Sequence, residues 1–205
     1  MKQILFLVSL ISFLVLLNML PSCKSKKNNA AVIAKPTVID TSTFYDIKSF
    51  FLSEIKEVSS TPYYMYSIIK RDDKRTDSFA VTKAKFAQLA NEFVEKDITT
   101  KELKPYYKQN IFRDLSTNSI TFNYTTPNKQ LEVQNIDILI DEETSKVKYI
   151  FIRTSKGNDD STIISQFNWK PGKSFSINKS IVKSNGIQYG IQQIVNWNDN
   201  LQEQE

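Results

Sequence analysis

Residues 117–140, TNSITFNYTTPNKQLEVQNIDILI, are the stretch that most directly predicts the fold. Apolar residues alternate with polar ones on both sides of a turn that contains Pro127, and this period of two is typical of strands that bury one face. The alternating apolar residues are Ile120, Phe122, Tyr124, Leu131, Val133, Ile136, Ile138 and Ile140. The alternation shifts by one residue near Asn135, which indicates a β-bulge. The stretch therefore predicts an antiparallel hairpin.

The same period of two continues towards the C-terminus. Further strands are predicted at residues 147–154, at 162–169, around Phe175, Ile177 and Ile181, and at 187–197. Turn residues separate these segments, most clearly Asn185-Gly186, a dipeptide typical of two-residue hairpin loops. With the two strands beside Pro127, the segments predict a six-stranded antiparallel meander.

The region before the meander contains two segments with helical spacing. A helix is predicted at residues 44–58, capped by Ser42 or Thr43, because its apolar residues recur every three or four positions. A second helix is predicted from a cap at Thr82 to about residue 96. Between the two helices, residues 63–70 and 76–81 read as the strands of a hairpin that turns at residues 72–74.

A short third helix is predicted after residue 98. Thr99 and Glu102 have the spacing of a capping box, and Pro105 limits the helix to about one turn. The sequence thus predicts an α+β fold, in which two or three N-terminal helices pack on an antiparallel β-meander of about six strands. The early hairpin is expected to extend the same sheet.

The first 22 residues have the features of a secretory signal. A short positive segment containing Lys2 precedes the apolar run of residues 4–17, which is close to the ~7–15 residues of a signal peptide and shorter than the ~20 of a membrane-spanning helix. The sequence Leu20-Pro21-Ser22-Cys23 follows, and it resembles the lipobox of bacterial lipoproteins. Pro21 departs from that pattern, which usually has a small residue at this position.

The resemblance implies that Cys23 becomes the lipidated N-terminal residue of the mature protein. It carries a diacylglyceryl thioether and usually a further N-linked acyl chain such as palmitate, and two or more chains make an anchor stable. The expected organisation is a signal peptide at residues 1–22, Cys23 with a basic tether at 23–41, one α+β domain at 42–198 and a polar tail at 199–205. Lys24 stands where an inner-membrane retention signal would have Asp, so the expected location is the outer membrane, facing the periplasm.

Composition excludes several classes of function. The 205-residue chain has no histidine and a single cysteine, so Ser-His-Asp and Cys-His nucleophiles and imidazole metal sites are excluded. It has four glycines and no phosphate-binding glycine motif. The net charge of +5 is diffuse and does not indicate nucleic-acid binding. No cofactor, metal or catalytic residue is predicted.

Two groups of residues with catalytic potential are assigned to structural roles. The carboxylates Asp72/Asp73, Asp141/Glu142/Glu143 and Asp159/Asp160 fall in predicted hairpin turns, where Asp is favoured for local hydrogen bonds. The adjacent Ser-Lys pairs lie in the tether or in turns, where the lysine stays solvated and is a poor base.

Aromatic residues are the remaining candidates for a partner or ligand surface. Tyrosine and tryptophan are enriched at binding surfaces, and they also fill cores and sheet edges. The candidates are Tyr63, Tyr64, Tyr66, Tyr106, Tyr107, Trp169 and Trp197. The predicted function is a membrane-anchored, non-catalytic binding or assembly module that contacts the bilayer through Cys23 and an envelope protein, glycan or lipid through its domain. The alternatives are a lipid or lipoprotein carrier with an apolar cavity between helix and sheet, and a cell-envelope hydrolase that uses carboxylates.

Overall fold

Nine strands form one antiparallel sheet within residues 44–72, 76–158 and 160–198, which the computed structural model describes. They are β1 (Tyr66–Arg71), β2 (Thr76–Ala80), β3 (Lys108–Asp114), β4 (Ser119–Thr125), β5 (Val133–Asp141), β6 (Val147–Gly157), β7 (Ser161–Lys170), β8 (Ser174–Lys183) and β9 (Gln188–Asn196). Their order is β2-β1-β9-β8-β7-β6-β5-β4-β3, so β3 to β9 form a meander and the β1–β2 hairpin joins its last strand. The α+β class and the extension of the sheet by the early hairpin are confirmed.

The meander has seven strands, one more than predicted. The additional strand, β3, pairs with β4 only and is an edge of the sheet. Its two apolar residues, Ile111 and Phe112, are adjacent in sequence and do not alternate. An edge strand buries little on either face, so its sequence carries no period-two pattern to detect.

The predicted bulge near Asn135 is confirmed. Val133 pairs with Thr154 and Asn135 with the preceding residue of β6, Arg153, so Gln134 is the extra residue on β5. The extra residue allows Val133 and Ile136, which are three positions apart, to be buried together.

Helix α1 (Ile47–Ser60) starts later than predicted. The side chain of Asp46 caps it by accepting a hydrogen bond of 3.0 Å from the backbone N–H of Ser49, so Asp46 takes the role predicted for Ser42 or Thr43. Phe44 and Tyr45, which are predicted to form the first turn of the helix, contact the sheet instead. The Phe44 ring lies 4.8 Å from that of Tyr124, whose hydroxyl accepts a hydrogen bond of 2.9 Å from the Tyr45 N–H.

Helix α2 (Lys83–Val94) agrees with its prediction, and the Thr82 hydroxyl caps it at 3.2 Å from the Lys85 N–H. The predicted short third helix forms only as one 3₁₀ turn at Lys104–Tyr106, which contains Pro105. The predicted cap is wrong, because the Thr99 hydroxyl donates to Asp97 at 2.7 Å, and Thr100 accepts from the Leu103 N–H at 3.3 Å instead.

The core lies between the two helices and the sheet. Phe93 of α2 is fully buried, and its ring centroid is 5.0 Å from that of Trp169 and 5.2 Å from that of Phe175. Phe51 of α1 lies 5.3 Å from Phe93 and 5.2 Å from Trp169. Each such ring removes roughly 150–250 Å² of surface from water, and this burial holds both helices on one face of the sheet.

The signal peptide, Cys23, the tether and the tail lie outside the described residues. The described residues belong to one compact unit. Neither of the α-helices described is both long and apolar enough to cross a bilayer.

Candidate functional site

The two faces of the sheet differ in chemistry. Side chains alternate along each strand between the face that packs against α1 and α2 and the opposite face, which we call the outer face. The helix side carries buried residues such as Ile138, Ile150 and Phe167. The outer face of the meander carries many polar side chains beside apolar ones such as Leu139, Phe151, Ile164 and Ile194. Its polar positions include Asn110, Asn123, Asn135, Asp137, Tyr149, Arg153, Gln166, Asn168, Ser176, Asn178, Ser180 and Gln192.

One part of the outer face is a closed hydrogen-bond network. The amide of Asn123 donates to Asn135 at 2.9 Å and to Asp137 at 2.6 Å. Asn135 donates to the other oxygen of Asp137 at 2.7 Å, and Asn110 donates to Asn123 at 3.3 Å. These groups satisfy one another across β3, β4 and β5, so they contribute to the pairing of the strands.

A second chain of hydrogen bonds crosses β6, β7 and β8. The Tyr149 hydroxyl donates to Asn168 at 2.7 Å, and the Asn168 amide approaches the Ser176 hydroxyl at 3.1 Å. Burial raises the pKa of Tyr149, so the phenol stays protonated and remains a donor at neutral pH. These groups are also committed to one another.

A row of long polar side chains, which we call the amide row, continues across the sheet from the first network, because Arg153 pairs with Asn135. Register pairs Arg153 with Gln166, Gln166 with Asn178, Asn178 with Gln192, and Gln192 with Lys70. The row therefore crosses β6, β7, β8, β9 and β1 in one line. Four strand spacings of ~4.8 Å give it a length of about 19 Å.

The side chains of the amide row have no hydrogen-bond or ion-pair partner in the part of the chain that the structure describes. The ion pairs found there use other residues, such as Arg71 with Asp77 at 2.6 Å and Lys179 with Glu92 at 3.1 Å. The Oδ1 atom of Asn178 is also shielded from solvent and accepts no hydrogen bond. A shielded acceptor without a donor is unfavourable by roughly 1–3 kcal/mol.

A hollow of about 450 Å³ adjoins the row. Ser180 pairs with Gly190 across β8 and β9. The Ser180 side chain is short, and the Asp72 carboxylate lies over Gly190, 3.0 Å from the position that a Cβ atom would take. Ile164 adds apolar surface, and Asp72 is the one carboxylate in the lining. The Asp72 carboxylate accepts a hydrogen bond from the backbone N–H of Gly190. This volume lies within the ~300–1,000 Å³ range of small-molecule sites.

Three of the predicted aromatic candidates are core residues. Trp169 and Trp197 are 0% and 2% exposed, and Tyr107 is 7% exposed, so none of them offers a binding surface. Trp169 donates from Nε1 to Glu54 at 3.1 Å, and Tyr107 donates to the backbone oxygen of Val133 at 2.7 Å. Strand alternation does not distinguish a core aromatic residue near a strand end from an exposed one.

The other four candidates are placed differently. Tyr64 is 76% and Tyr106 is 53% exposed, while Tyr63 is half-buried against the core. The Tyr64 ring lies 6.4 Å from the ring of Tyr66. Tyr66 is on the outer face of β1, because it is four residues before Lys70 on the same strand.

The acidic groups in the turns serve local structure where they are described. Asp141 accepts from the Thr144 N–H and hydroxyl at 2.9 Å each, and these bonds lower the pKa of its carboxyl. Glu142 pairs with Arg113. Asp73 and Asp159 lie outside the described residues. Within the described ranges, no three acidic or sulfur side chains converge in a way that could hold a metal ion.

No protein family, curated protein or solved structure matches this chain.

The amide row is not predicted by the sequence. The only signal for it is that the polar positions of several strands carry Asn or Gln, for example Gln166 and Asn168 between the buried residues of β7. The register that aligns these amides depends on the turns that join β6 to β9 and on the pairing of β1 with β9, and sequence does not determine that register.

Proposed function

We propose that this chain is a lipid-anchored lipoprotein of the bacterial envelope, and that its domain is a non-catalytic binding module. The observation that best supports a binding module is the amide row, where five polar side chains on an ordered sheet have no partner among the described residues. Rigid strands hold these groups in fixed positions, so little side-chain and backbone freedom is lost on binding.

The described carboxylates support binding over hydrolysis. A glycosidase needs one carboxylic acid with a raised pKa beside a second carboxylate. The hydrogen bonds of Asp141 and Asp114 instead lower the pKa of each carboxyl, so both are ionised at neutral pH. Each of them is the last residue of a strand and accepts hydrogen bonds from hydroxyls in the turn that follows.

The packing between helices and sheet supports an outer binding surface over an internal lipid cavity. That space is filled by the buried rings of Phe51, Phe86 and Phe93. Each of these rings contacts an aromatic ring on the sheet side of the core. The hollow between the end of α2 and the sheet measures about 180 Å³ and is bordered by Glu92 and Lys96. An acyl chain requires a larger and less charged space.

The anchor is tested by replacing the cysteine. In cells fed a labelled fatty acid, Cys23→Ala should abolish labelling and release the protein from the membrane fraction. Ser25→Ala, two residues away, is the matched control and should remain labelled and membrane-bound. Labelling and fractionation that are unchanged in Cys23→Ala would refute the lipoprotein assignment.

The binding module is tested by crosslinking in cells. Asn178→Ala combined with Gln192→Ala should remove crosslinked products that the parent protein gives. Asn91→Ala combined with Gln88→Ala replaces the same two side-chain types on the exposed side of α2 and should leave the products unchanged. Identical products from both double variants would contradict binding at the row. Turnover of an envelope polymer by the purified protein, stopped by a single carboxylate substitution that leaves the fold intact, would contradict the non-catalytic assignment.

A further inference from the structure

The amide row combines two kinds of binding chemistry in one line. Gln166, Asn178 and Gln192 each offer two N–H donors and one carbonyl acceptor. Arg153 and Lys70 stand at the two ends and add positive charge. Neither cation has an ion-pair partner among the described residues.

Hydroxyl groups match the centre of the row. A hydroxyl both donates and accepts, so an amide side chain can bind two hydroxyls on adjacent carbons with its N–H and its carbonyl. The hollow beside Gln166, Asn178 and Gln192, about 450 Å³, leaves room for a polyhydroxylated ring over Ser180. The Asp72 carboxylate, which lies over Gly190 at the side of this hollow, is a further acceptor for hydroxyl groups.

Acidic groups match the ends of the row. The guanidinium of Arg153 forms paired hydrogen bonds with a carboxylate, and the ammonium of Lys70 acts as a point charge. The two are about 19 Å apart along the row, so a single small anion does not reach both. A chain with repeated hydroxyls and repeated acid groups does.

We infer that the outer face binds an acidic oligosaccharide that lies along the amide row, across the strands. This inference rests on the proposed binding function and names its ligand class. A protein partner fits less well because the centres of protein interfaces are enriched in aromatic residues and depleted in Lys, whereas the row has Lys70 at one end and three amides and no aromatic residue at its centre. Nucleic acid fits less well because single strands bind where their bases stack on aromatic side chains, and the row has no aromatic residue.

The test uses the full chain, purified in detergent, and isothermal titration with three probes. They are an oligogalacturonate, the same oligosaccharide with its carboxylates methyl-esterified, and polyphosphate. The expected order of affinity is the free acid first, the ester second and polyphosphate last, because only the free acid offers both hydroxyls and carboxylates. Polyphosphate binding as tight as that of the free acid, or no binding of the oligogalacturonate, would overturn the inference.

Matched variants locate the site. Gln192→Ala and Lys70→Ala should each weaken oligogalacturonate binding about threefold to tenfold, the range expected for one lost hydrogen bond or exposed charge contact. Gln130→Ala and Lys101→Ala change exposed residues of the same types away from the row and should have no effect. Lys70→Ala, but not Gln192→Ala, should reduce the difference in affinity between the free acid and its ester. Equal binding by row variants and controls would place the glycan elsewhere and overturn the inference.

The outcomes separate this inference from the function on which it rests. If the glycan does not bind but the Asn178→Ala, Gln192→Ala double variant still loses crosslinked products in cells, the binding module stands and the glycan is wrong. If the row variants change neither glycan binding nor crosslinking, both fail. If the oligogalacturonate is cleaved, the non-catalytic assignment fails even where the glycan class is right.

Discussion

A single carboxylate, that of Glu54, satisfies two groups at the end of the core. Its Oε2 atom accepts hydrogen bonds from Trp169 Nε1 at 3.1 Å and from the Gly172 backbone N–H at 3.2 Å. Trp169 is fully buried, and the Glu54 carboxylate is the partner of its indole N–H. Glu54 therefore links helix α1 to the turn between β7 and β8.

We expect Glu54→Ala to lower the free energy of unfolding by about 1–3 kcal/mol, because it leaves a buried donor without a partner. Glu54→Gln keeps a carbonyl acceptor and should recover part of the loss. Glu57→Ala, an exposed position of the same helix, is the control and should stay within about 0.5 kcal/mol of the parent. Denaturant unfolding followed by tryptophan fluorescence measures all three. Equal losses for Glu54→Ala and Glu57→Ala would show that the hydrogen bonds do not contribute.

Tyr107 makes stability depend on pH in the alkaline range. Its hydroxyl is buried and donates to the Val133 carbonyl at 2.7 Å. Burial, with a smaller contribution from the charge of Glu132, raises the pKa of Tyr107 from 10.0 to about 12. The folded state thus holds a proton that the unfolded state has already lost, so this contribution to stability is complete below pH 10 and is lost as pH rises towards 12.

The loss from this residue should reach about 2–3 kcal/mol between those pH values. Tyr107→Phe should flatten the fall in unfolding free energy over this range, although it lowers stability at neutral pH. The measurement is denaturant unfolding at a series of alkaline pH values. Tyr106→Phe alters the neighbouring exposed ring and should retain the pH dependence of the parent. A fall of equal steepness in both variants would contradict the assignment to Tyr107.

At the scale of elements, contacts with the sheet decide which residue caps helix α1. Ser42, Thr43 and Asp46 are all residue types that cap helices. Phe44 and Tyr45 contact the sheet, and this contact leaves Asp46 as the residue directly before the helix. The hydrogen bond from Ser49 lowers the pKa of the Asp46 carboxyl and keeps it ionised.

Asp46→Ala should lower the free energy of unfolding by about 1 kcal/mol, the usual loss for an N-cap. Ser42→Ala removes the cap that the sequence favoured and should change stability by less than about 0.5 kcal/mol. Thermal unfolding of both variants at neutral pH distinguishes the two positions. A larger loss for Ser42→Ala would mean that the helix begins earlier.

At the scale of the whole molecule, Phe93 joins both helices to the sheet. Its ring contacts Phe51 of α1, Phe167 and Trp169 of β7, and Phe175 of β8, with centroids 5.0–5.3 Å apart. Removing the Phe93 ring opens a cavity where side chains of α1, α2 and the sheet meet, and the surrounding rings cannot all move to fill it.

We expect Phe93→Ala to lower the free energy of unfolding by about 3–5 kcal/mol. Phe112→Ala removes a ring of the same size that is 59% exposed on edge strand β3, and it should change stability by less than about 0.5 kcal/mol. Chemical denaturation with two independent probes measures the difference. Similar losses for the two variants would mean that the core is not centred on Phe93.

The local part of the fold follows from the sequence alone. The six period-two strands, the early hairpin, helix α2 with its Thr82 cap and the bulge near Asn135 each depend on residues close together in the chain. Strand β3 and the cap of α1 could not be predicted in this way, because the first depends on its place at a sheet edge and the second on contacts with Tyr124.

Sequence by itself determined the class of fold and excluded histidine chemistry, because periodicity and composition are properties of the chain before it folds. Only the tertiary structure decided that Trp169 and Trp197 belong to the core, and that Arg153, Gln166, Asn178, Gln192 and Lys70 form one row. These residues lie on five strands, and Lys70 is more than eighty positions from Arg153 in the sequence. Their alignment is set by the register of four strand pairs, and a shift of one residue in any pair would turn one strand's side chains to the opposite face.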